Sequence, residues 1–420
     1  MQLEQRSLIS TQIYGMPLYL SVSALEKYRQ CPYSYFLTYG LRLKERMLYQ
    51  MEAVDVGSFY HEAIEQFSRY LLEQNISWQS LDEKKTKEIM AMIVDQLAPS
   101  MQNEILLSTG RYRYLRRRLQ KTLERTALML MEHGQKGDFV PVALEADFGG
   151  SQSKLPRWDI MLQDGSRLTL QGRIDRIEKA ERNSSHYLRV IDFKSGTQGL
   201  SLLDIYYGLK IQLLTYLQVA LEYYEAMLLP GEEVLPAGVL YYFFRNGILG
   251  TDGPVSKQQA EQLHFTSMKA DGLLIADMHA LQLAQRDLST GGSTLLPVSL
   301  LKSAEEYLDD PDGFNHLDNP MEYFRKTNHA VVTREQLELL MKHTKQMITS
   351  LGEEIHNGNI AVRPCRIRQF IGCQYCNYQA ICQIQTVELE KTVEDLPVLK
   401  REEIWARMEQ LIQPEQKGGV

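Results

Sequence analysis

Three of the five cysteines in this 420-residue chain crowd into one stretch, Cys373-x2-Cys376-x5-Cys382, and a fourth, Cys31, lies 373 − 31 = 342 residues earlier. Thiolates this close suit a shared metal or cluster rather than separate core positions, and three of them need a fourth ligand. Cys31, in QCPYSYF, is the best candidate; Cys365, which follows Pro364, ranks below it. Zinc sites usually pair two C-x2-C knuckles, so one distant cysteine plus three favours a 4Fe–4S cluster, with zinc as the alternative. Such a site forces the two ends of the chain together. Its role is then structural: closing so long a loop removes much freedom from the unfolded chain, and ligand binding becomes coupled to folding.

Composition narrows the field. Hydrophobic residues make up 44% and charged residues 24%, which is ordinary globular usage. No run of eighteen apolar residues occurs, so no transmembrane helix is expected. The opening MQLEQRSLISTQIYG lacks a basic segment followed by an apolar one, so no signal peptide is expected and the cytoplasm is the default compartment. The net charge of −7 means that any contact with nucleic acid must come from a local basic patch.

Periodicity divides the chain into layers. Residues 22–40 read as a helix, a Cys-Pro break and a second helical stretch; 57–74 and 82–134 are helical. Residues 139–148, 157–163, 167–178 and 187–194 alternate like strands, and 236–244 is a continuous apolar run typical of a buried one. Residues 204–228 and 333–356 return to helix, 250–330 are mixed, and a polar helical tail follows the cysteines. Helices, then a small sheet, then helices again predict an α/β layer architecture.

The chemistry concentrates in LTLQGRIDRIEKA (168–180) and YLRVIDFKSG (187–196). Residues two apart on a strand share a face, so Asp192 and Lys194 project to one side. Asp175 lies in the preceding strand, and the polar linker around Arg182–Ser185 permits a hairpin. Two carboxylates can hold a hard divalent cation, Mg²⁺ or Mn²⁺, which polarises a phosphate and lowers the pKa of a bound water; a lysine can neutralise developing charge. Alone, Asp-x-Lys is more often an exposed pair at a strand end. Gln212 and Tyr216 are four apart on one helix face and both can hydrogen-bond a phosphate or water, although an amphipathic helix with a core tyrosine fits as well. His61 could ligate a metal through a neutral imidazole, or be an ordinary helix histidine.

Taken together, QCPYSYF, GSFYHEAIE, GRIDRIE, VIDFKSG, QLLTY and the three-cysteine segment resemble the RecB-type nucleases of the PD-(D/E)XK superfamily, over about residues 21–385. The resemblance implies a central mixed sheet flanked by helices, with a divalent metal at the sheet edge. It implies His61, Asp175, Asp192 and the Phe193 carbonyl as metal ligands, Lys194 as the catalytic lysine, and Gln212 and Tyr216 as the downstream Q-x3-Y motif. SVSALEKYRQCPYSYFLTYGLRLKER and residues 268–302 are further similar to the C-terminal nuclease domains of the AddB family of helicase–nuclease subunits. That implies double-strand break processing beside an AddA-type subunit supplying the motor, and 5′ to 3′ exonuclease action on single-stranded ends. No G-x4-G-K-[ST] phosphate loop occurs here, so ATP hydrolysis would belong to the partner, and the chain looks like a C-terminal fragment of such a subunit or a truncated gene product. The domain plan is an extension at 1–20, a helical part at 21–136 and a nuclease core at 137–250. An AddB-like, largely helical insertion and helix follow at 251–360, then the cysteine segment at 361–385 and a tail at 386–420.

DNA contact is expected from Arg111, Arg113, Arg116, Arg117 and Lys121, interleaved with Tyr112 and Tyr114, and from Arg173 beside Asp175. A solvated, charge-paired helix is the competing reading. The chain is expected to be a Mg²⁺-dependent exonuclease acting on single-stranded DNA, with no membrane partner. The alternative is a catalytically silent, cluster-stapled scaffold.

Overall fold

The computed structural model describes residues 3–44, 46, 49–196, 198–244, 253–327, 329–384 and 392–412. Its centre is an eight-stranded mixed sheet. The strands are β1 (Leu18–Ser21), β2 (Val140–Phe148), β3 (Trp158–Met161), β4 (Arg167–Arg182), β5 (Ser185–Lys194), β6 (Glu233–Phe243), β7 (Asp271–Ile275) and β8 (Val331–Val332). The order runs β1-β4-β5-β6-β7-β8, with β2 and β3 also paired to β4. β1 with β4, β5 with β6 and β7 with β8 are parallel; the other pairs are antiparallel.

β4 organises the sheet because it is long enough to serve two sets of partners. Its residues 168–171 pair with β1, and 176–182 pair with β5 through a tight turn at Asn183–Ser184. Asn183 takes a left-handed φ of 55°, a conformation asparagine tolerates in such turns. The β4–β5 ladder stops at Arg176↔Ile191, so Asp175 and Asp192 stand just beyond it, where the strands part.

Alternation along the strands makes two cores. Ile191, Phe193, Leu240, Tyr242 and Leu274 face the helices Ala53–Glu73, Glu83–Leu97 and Gly110–Lys136. Leu188, Val190, Val239, Tyr241 and Leu273 face Val22–Gln30, Gln212–Glu225 and Arg334–His356. In the first core lies a buried ion triad. Glu178 accepts from Arg176 Nε and Arg189 Nε, both at 2.6 Å, and Arg176 Nη1 donates to Ser68 Oγ at 2.9 Å. Burial alone would raise the Glu178 pKa, but the two guanidinium charges outweigh it and hold the carboxyl below its usual range.

The segment expected as an insertion is more integral than the sequence suggested. It contributes β7 and β8 to the main sheet, and β1 comes from the expected N-terminal extension. These strands have two to five residues, too short for alternation to reveal; only pairing with their neighbours defines them. The expected helix at 82–134 is broken by residues 98–109, and the one at 204–228 is two helices, Leu202–Tyr206 and Gln212–Glu225. Of the tail, Arg401–Ile412 is helical, while 386–391 and 413–420 lie outside the described residues. Among the described residues, no helix is long and apolar enough to cross a membrane.

Candidate active site and cysteine cavity

Asp175 is held from two sides. Its Oδ2 accepts the Phe193 backbone N–H at 2.8 Å and lies 3.2 Å from His61 Nδ1. His61 comes from the helix Ala53–Glu73, whose buried face carries Phe59, Tyr60, Ala63 and Ile64. Its imidazole packs edge-on to Phe193, with ring centroids 6.3 Å apart. Burial lowers the His61 pKa, but the hydrogen bond to Asp175 and the charges of Asp175, Asp192 and Glu145 reverse this, for a net rise.

A third ligand joins them that sequence reasoning missed. His61, Glu145 and Asp175 each offer a ligand atom, all within 4.8 Å of one another. Glu145 sits in β2 between Leu144 and Ala146, which pair with Arg176 and Ile174 and so bracket Asp175. It holds a left-handed φ of 45°, a strained conformation for a non-glycine residue in a strand. The signal that could have found it was an acid inside the apolar strand VPVALEADF.

Asp192 and Lys194 form the second half of the site. Lys194 Nζ lies 2.7 Å from Asp192 Oδ2, donates to Gln212 Oε1 at 2.8 Å, and sits 5.4 Å from the centre of the Tyr241 ring. Gln212 Nε2 in turn donates to the Tyr216 hydroxyl at 2.8 Å. Another unpredicted residue, Glu26, accepts the N–H groups of Ile211 and Gln212 at 2.8 and 3.0 Å, fixing the helix end that presents Gln212. The Asp192 carboxylate is directed to Lys194 and is not among the three clustered ligand atoms.

The electrostatics of the two halves are joined. Burial, then the Asp175 charge, pushes the Asp192 pKa up to about 7 against the pull of Lys194. Burial, then Asp175 and Glu65, pushes Glu145 up to about 7. Lys194 is raised above its usual range: burial opposes this, but Asp192 and Asp175 prevail, so it is a cation. Crowded carboxylates whose ionisation is this unfavourable are what a divalent cation would relieve.

Cys31, Cys373, Cys376 and Cys382 line one small cavity, together with Tyr33 and Ser34. Cys31 ends the helix Val22–Gln30, and Arg29 beside it binds Glu394 through two bonds of 3.0 and 3.1 Å. That glutamate belongs to a small sheet formed by Cys365–Ile367, Phe370–Ile371 and Glu394–Asp395, which leads into the cysteine segment. Cys365 is buried in this sheet and does not line the cavity.

The expected DNA contacts divide. Arg116 is ion-paired with Asp95, and Arg113 Nη1 donates to the Leu107 carbonyl. Arg173 is bound to Asp147 at 2.8 Å and lies 3.8 Å from Glu145. Arg111, Arg117 and Lys121 are exposed and make no ion pair among the described residues.

The split β4–β5 ladder within the sheet, with acids on both strands and a lysine two residues past the second, is a nuclease-type arrangement. The chain belongs to the PD-(D/E)XK nuclease superfamily, whose sequence profile matches residues 19–383. Within it the chain is homologous to AddB, one of the subunits of the ATP-dependent helicase/deoxyribonuclease. It is 40% identical over 376 residues to AddB from Pelotomaculum thermopropionicum, covering 89% of this chain and 30% of the relative. Identity is 38% over 372 residues to the Desulforamulus reducens protein and 33% over 375 residues to that of Bacillus subtilis, with the same coverage. The chain thus spans about 30% of the length of these curated relatives.

Proposed function

We propose that this chain is a divalent-metal-dependent exodeoxyribonuclease that hydrolyses single-stranded DNA ends. The observation that carries the reading is the cluster of His61, Glu145 and Asp175 ligand atoms beside the Asp192–Lys194 pair. Carboxylate oxygens in this number suit Mg²⁺ or Mn²⁺. His61, Glu145, Asp175 and Asp192 would hold the ion, with the Phe193 carbonyl as a further donor. A bound ion supplies Lewis acidity to the phosphate and a hydroxide-like water.

The protein's own groups do the rest. Lys194 carries a fixed positive charge to the phosphorane oxygens. Gln212 holds its ammonium, and Tyr216 holds Gln212, so the charge is placed before substrate arrives. Arg111, Arg117 and Lys121 offer charges for the DNA backbone outside the site.

The four-cysteine cavity fits a 4Fe–4S cluster better than zinc. Zinc sites of four thiolates usually pair two C-x2-C knuckles. Here one distant cysteine joins a close set of three around a single cavity. The cluster would tie residue 31 to residues 373–382 and serve stability.

Homology to AddB supports work beside an AddA-type motor subunit in recombinational repair of double-strand breaks. The test is direct: anaerobically purified protein, Mg²⁺ and end-labelled single-stranded DNA, comparing wild type with Asp192→Ala. Mononucleotide or short products from wild type alone are expected. Equal cleavage by both would remove the assigned site, and none by either would favour the silent scaffold.

A further inference from the structure

A second groove, of about 440 Å³, opens on the molecule away from the metal-ligand cluster. Its size is in the range that accepts a drug-sized ligand, and so a nucleobase or two. Its walls carry Tyr14, Tyr19, Tyr35, Tyr39, Arg42 and Lys44. Tyr14, Tyr35 and Tyr39 form a file of rings, with centroids 5.6 and 5.1 Å apart. Tyr19 is 43% exposed and Tyr39 37%, large aromatic surfaces left in solvent. The buried Tyr35 hydroxyl has no hydrogen-bond partner among the described residues.

The local backbone is irregular here. Tyr39 lies on a π-helical turn, Phe36–Gly40, a feature found often at functional sites. Arg42, two residues beyond that turn, has a left-handed φ of 54°. Arg42 and Lys44 are exposed and make no ion pair among the described residues.

The groove borders the strand that carries Asp175. Gln171 of β4 lines it, and Tyr19 and Ser21 of β1 are in register with Thr169 and Gln171. Residues at even spacing share a strand face, so Tyr19, Gln171, Arg173 and Asp175 fall on one side of the sheet, with Leu168 and Leu170 in the core behind. From Gln171 to Asp175 is four residues, about 13 Å at ~3.3 Å per residue. That is roughly four nucleotides at the ~3.4 Å rise of a stacked strand.

We propose that this tyrosine- and cation-lined groove binds the bases and backbone of a single DNA strand about four nucleotides from the bond cut at Asp175. Aromatic faces accept any base and the two cations track phosphates, which is how strands are held without sequence preference. The proposal rests on the nuclease reading for its substrate, but its test does not depend on cleavage.

The experiment measures anisotropy of a fluorescent oligothymidylate of about a dozen nucleotides, in EDTA, with the full chain carrying Asp192→Ala. Tyr19→Ala and Tyr39→Ala are each expected to weaken binding about tenfold, and Tyr19→Phe and Tyr39→Phe to restore it. The same oligomer with abasic sugars should bind the parent chain no better than the alanine variants bind the intact one. Thermal melting verifies that the exposed substitutions leave the fold intact. Unchanged affinity in both alanine variants, equal binding of abasic and intact strands, or no binding at all would overturn the proposal. With Asp192 restored and Mg²⁺ added, a chain that binds through the tyrosines but leaves DNA uncut would sink the nuclease reading and leave the groove standing. Cleavage without any effect of the tyrosines would do the reverse.

Discussion

Lys194 Nζ lies 2.7 Å from Asp192 Oδ2, two residues back on the same strand, and the carboxylate it meets is almost wholly buried. On the proposed reading the lysine is therefore both the catalytic cation and the partner of a buried carboxylate. Lys194→Met should lower cleavage by about 10²–10³-fold, the usual loss on removing one group that stabilises transition-state charge. It should also destabilise the fold by about 1–3 kcal/mol, because Asp192 is left without a partner. Adding Asp192→Asn should recover most of that stability and none of the activity. Urea titration of the two single variants and the double checks this; additive losses in stability would show that the pair is not coupled.

Glu145 is expected to matter for metal affinity rather than for folding. It sits within 4.8 Å of the His61 and Asp175 ligand atoms, on a backbone with a left-handed φ of 45°. Glu145→Gln keeps the shape and removes the charge. The Mg²⁺ concentration giving half-maximal cleavage should rise by about 10–100-fold, the range seen when a supporting ligand is lost. The maximal rate at saturating Mg²⁺ should fall much less. An unchanged metal titration would exclude Glu145 from the site.

Much of the site was legible because strand periodicity is short and strict. Asp192 and Lys194 had to share a face, and the linker after Arg182 had to turn, so Asp175 was brought near. Gln212 and Tyr216 followed from the helical period and are directly bonded. Glu145 and Glu26 were not legible, since each acts across the chain from residues 30 or more positions away: Glu145 toward Asp175, Glu26 toward Ile211 and Gln212. The strands β1, β7 and β8 were hidden for the same reason. On the basic helix, Asp95 takes up Arg116 and the Leu107 carbonyl takes up Arg113, partners that composition does not show.

Acid should remove two separate contributions to the stability of this protein. Burial, then the Arg189 charge, pulls the His133 pKa down from 6.5 to about 3. A depressed folded pKa means stability that is complete above pH 6.5 and is lost as pH falls from there toward 3. Glu178 is also depressed, so its contribution is complete above its ordinary 4.5 and is lost below it. The first loss should begin below pH 6.5 and the second below 4.5, each set against a gain from Asp192 and Glu145, whose carboxyls, pushed up to about 7, favour the folded state as pH falls. His133→Gln should flatten the first phase. Glu178→Gln, which leaves Arg176 and Arg189 buried without their anion, should cost about 3–5 kcal/mol at neutral pH and remove the second phase. A wild-type-minus-variant difference in melting temperature that stayed constant from pH 7 to 3 for both variants would refute both assignments.

The cysteine cavity makes a prediction that separates ligand from bystander. Cys31→Ala should abolish the brown colour and broad visible absorption of an iron–sulfur cluster and lower stability, because the tie between residue 31 and residues 373–382 is cut. Cys365→Ala should keep the colour, since Cys365 does not line the cavity; it should cost only the packing of one buried thiol. Gly372→Ala is the sharper probe. A methyl there would stand 2.5 Å from the Gln30 carbonyl oxygen, so the backbone before Cys31 and the backbone before Cys373 would have to move apart. No cysteine is altered, yet the geometry that brings the first thiol to the other three is lost. Anaerobic purification followed by iron, sulfide and zinc analysis should therefore find Gly372→Ala depleted like Cys31→Ala and Cys365→Ala filled like wild type. If Gly372→Ala retained a full complement of iron, the close approach of these two segments would not be what assembles the site.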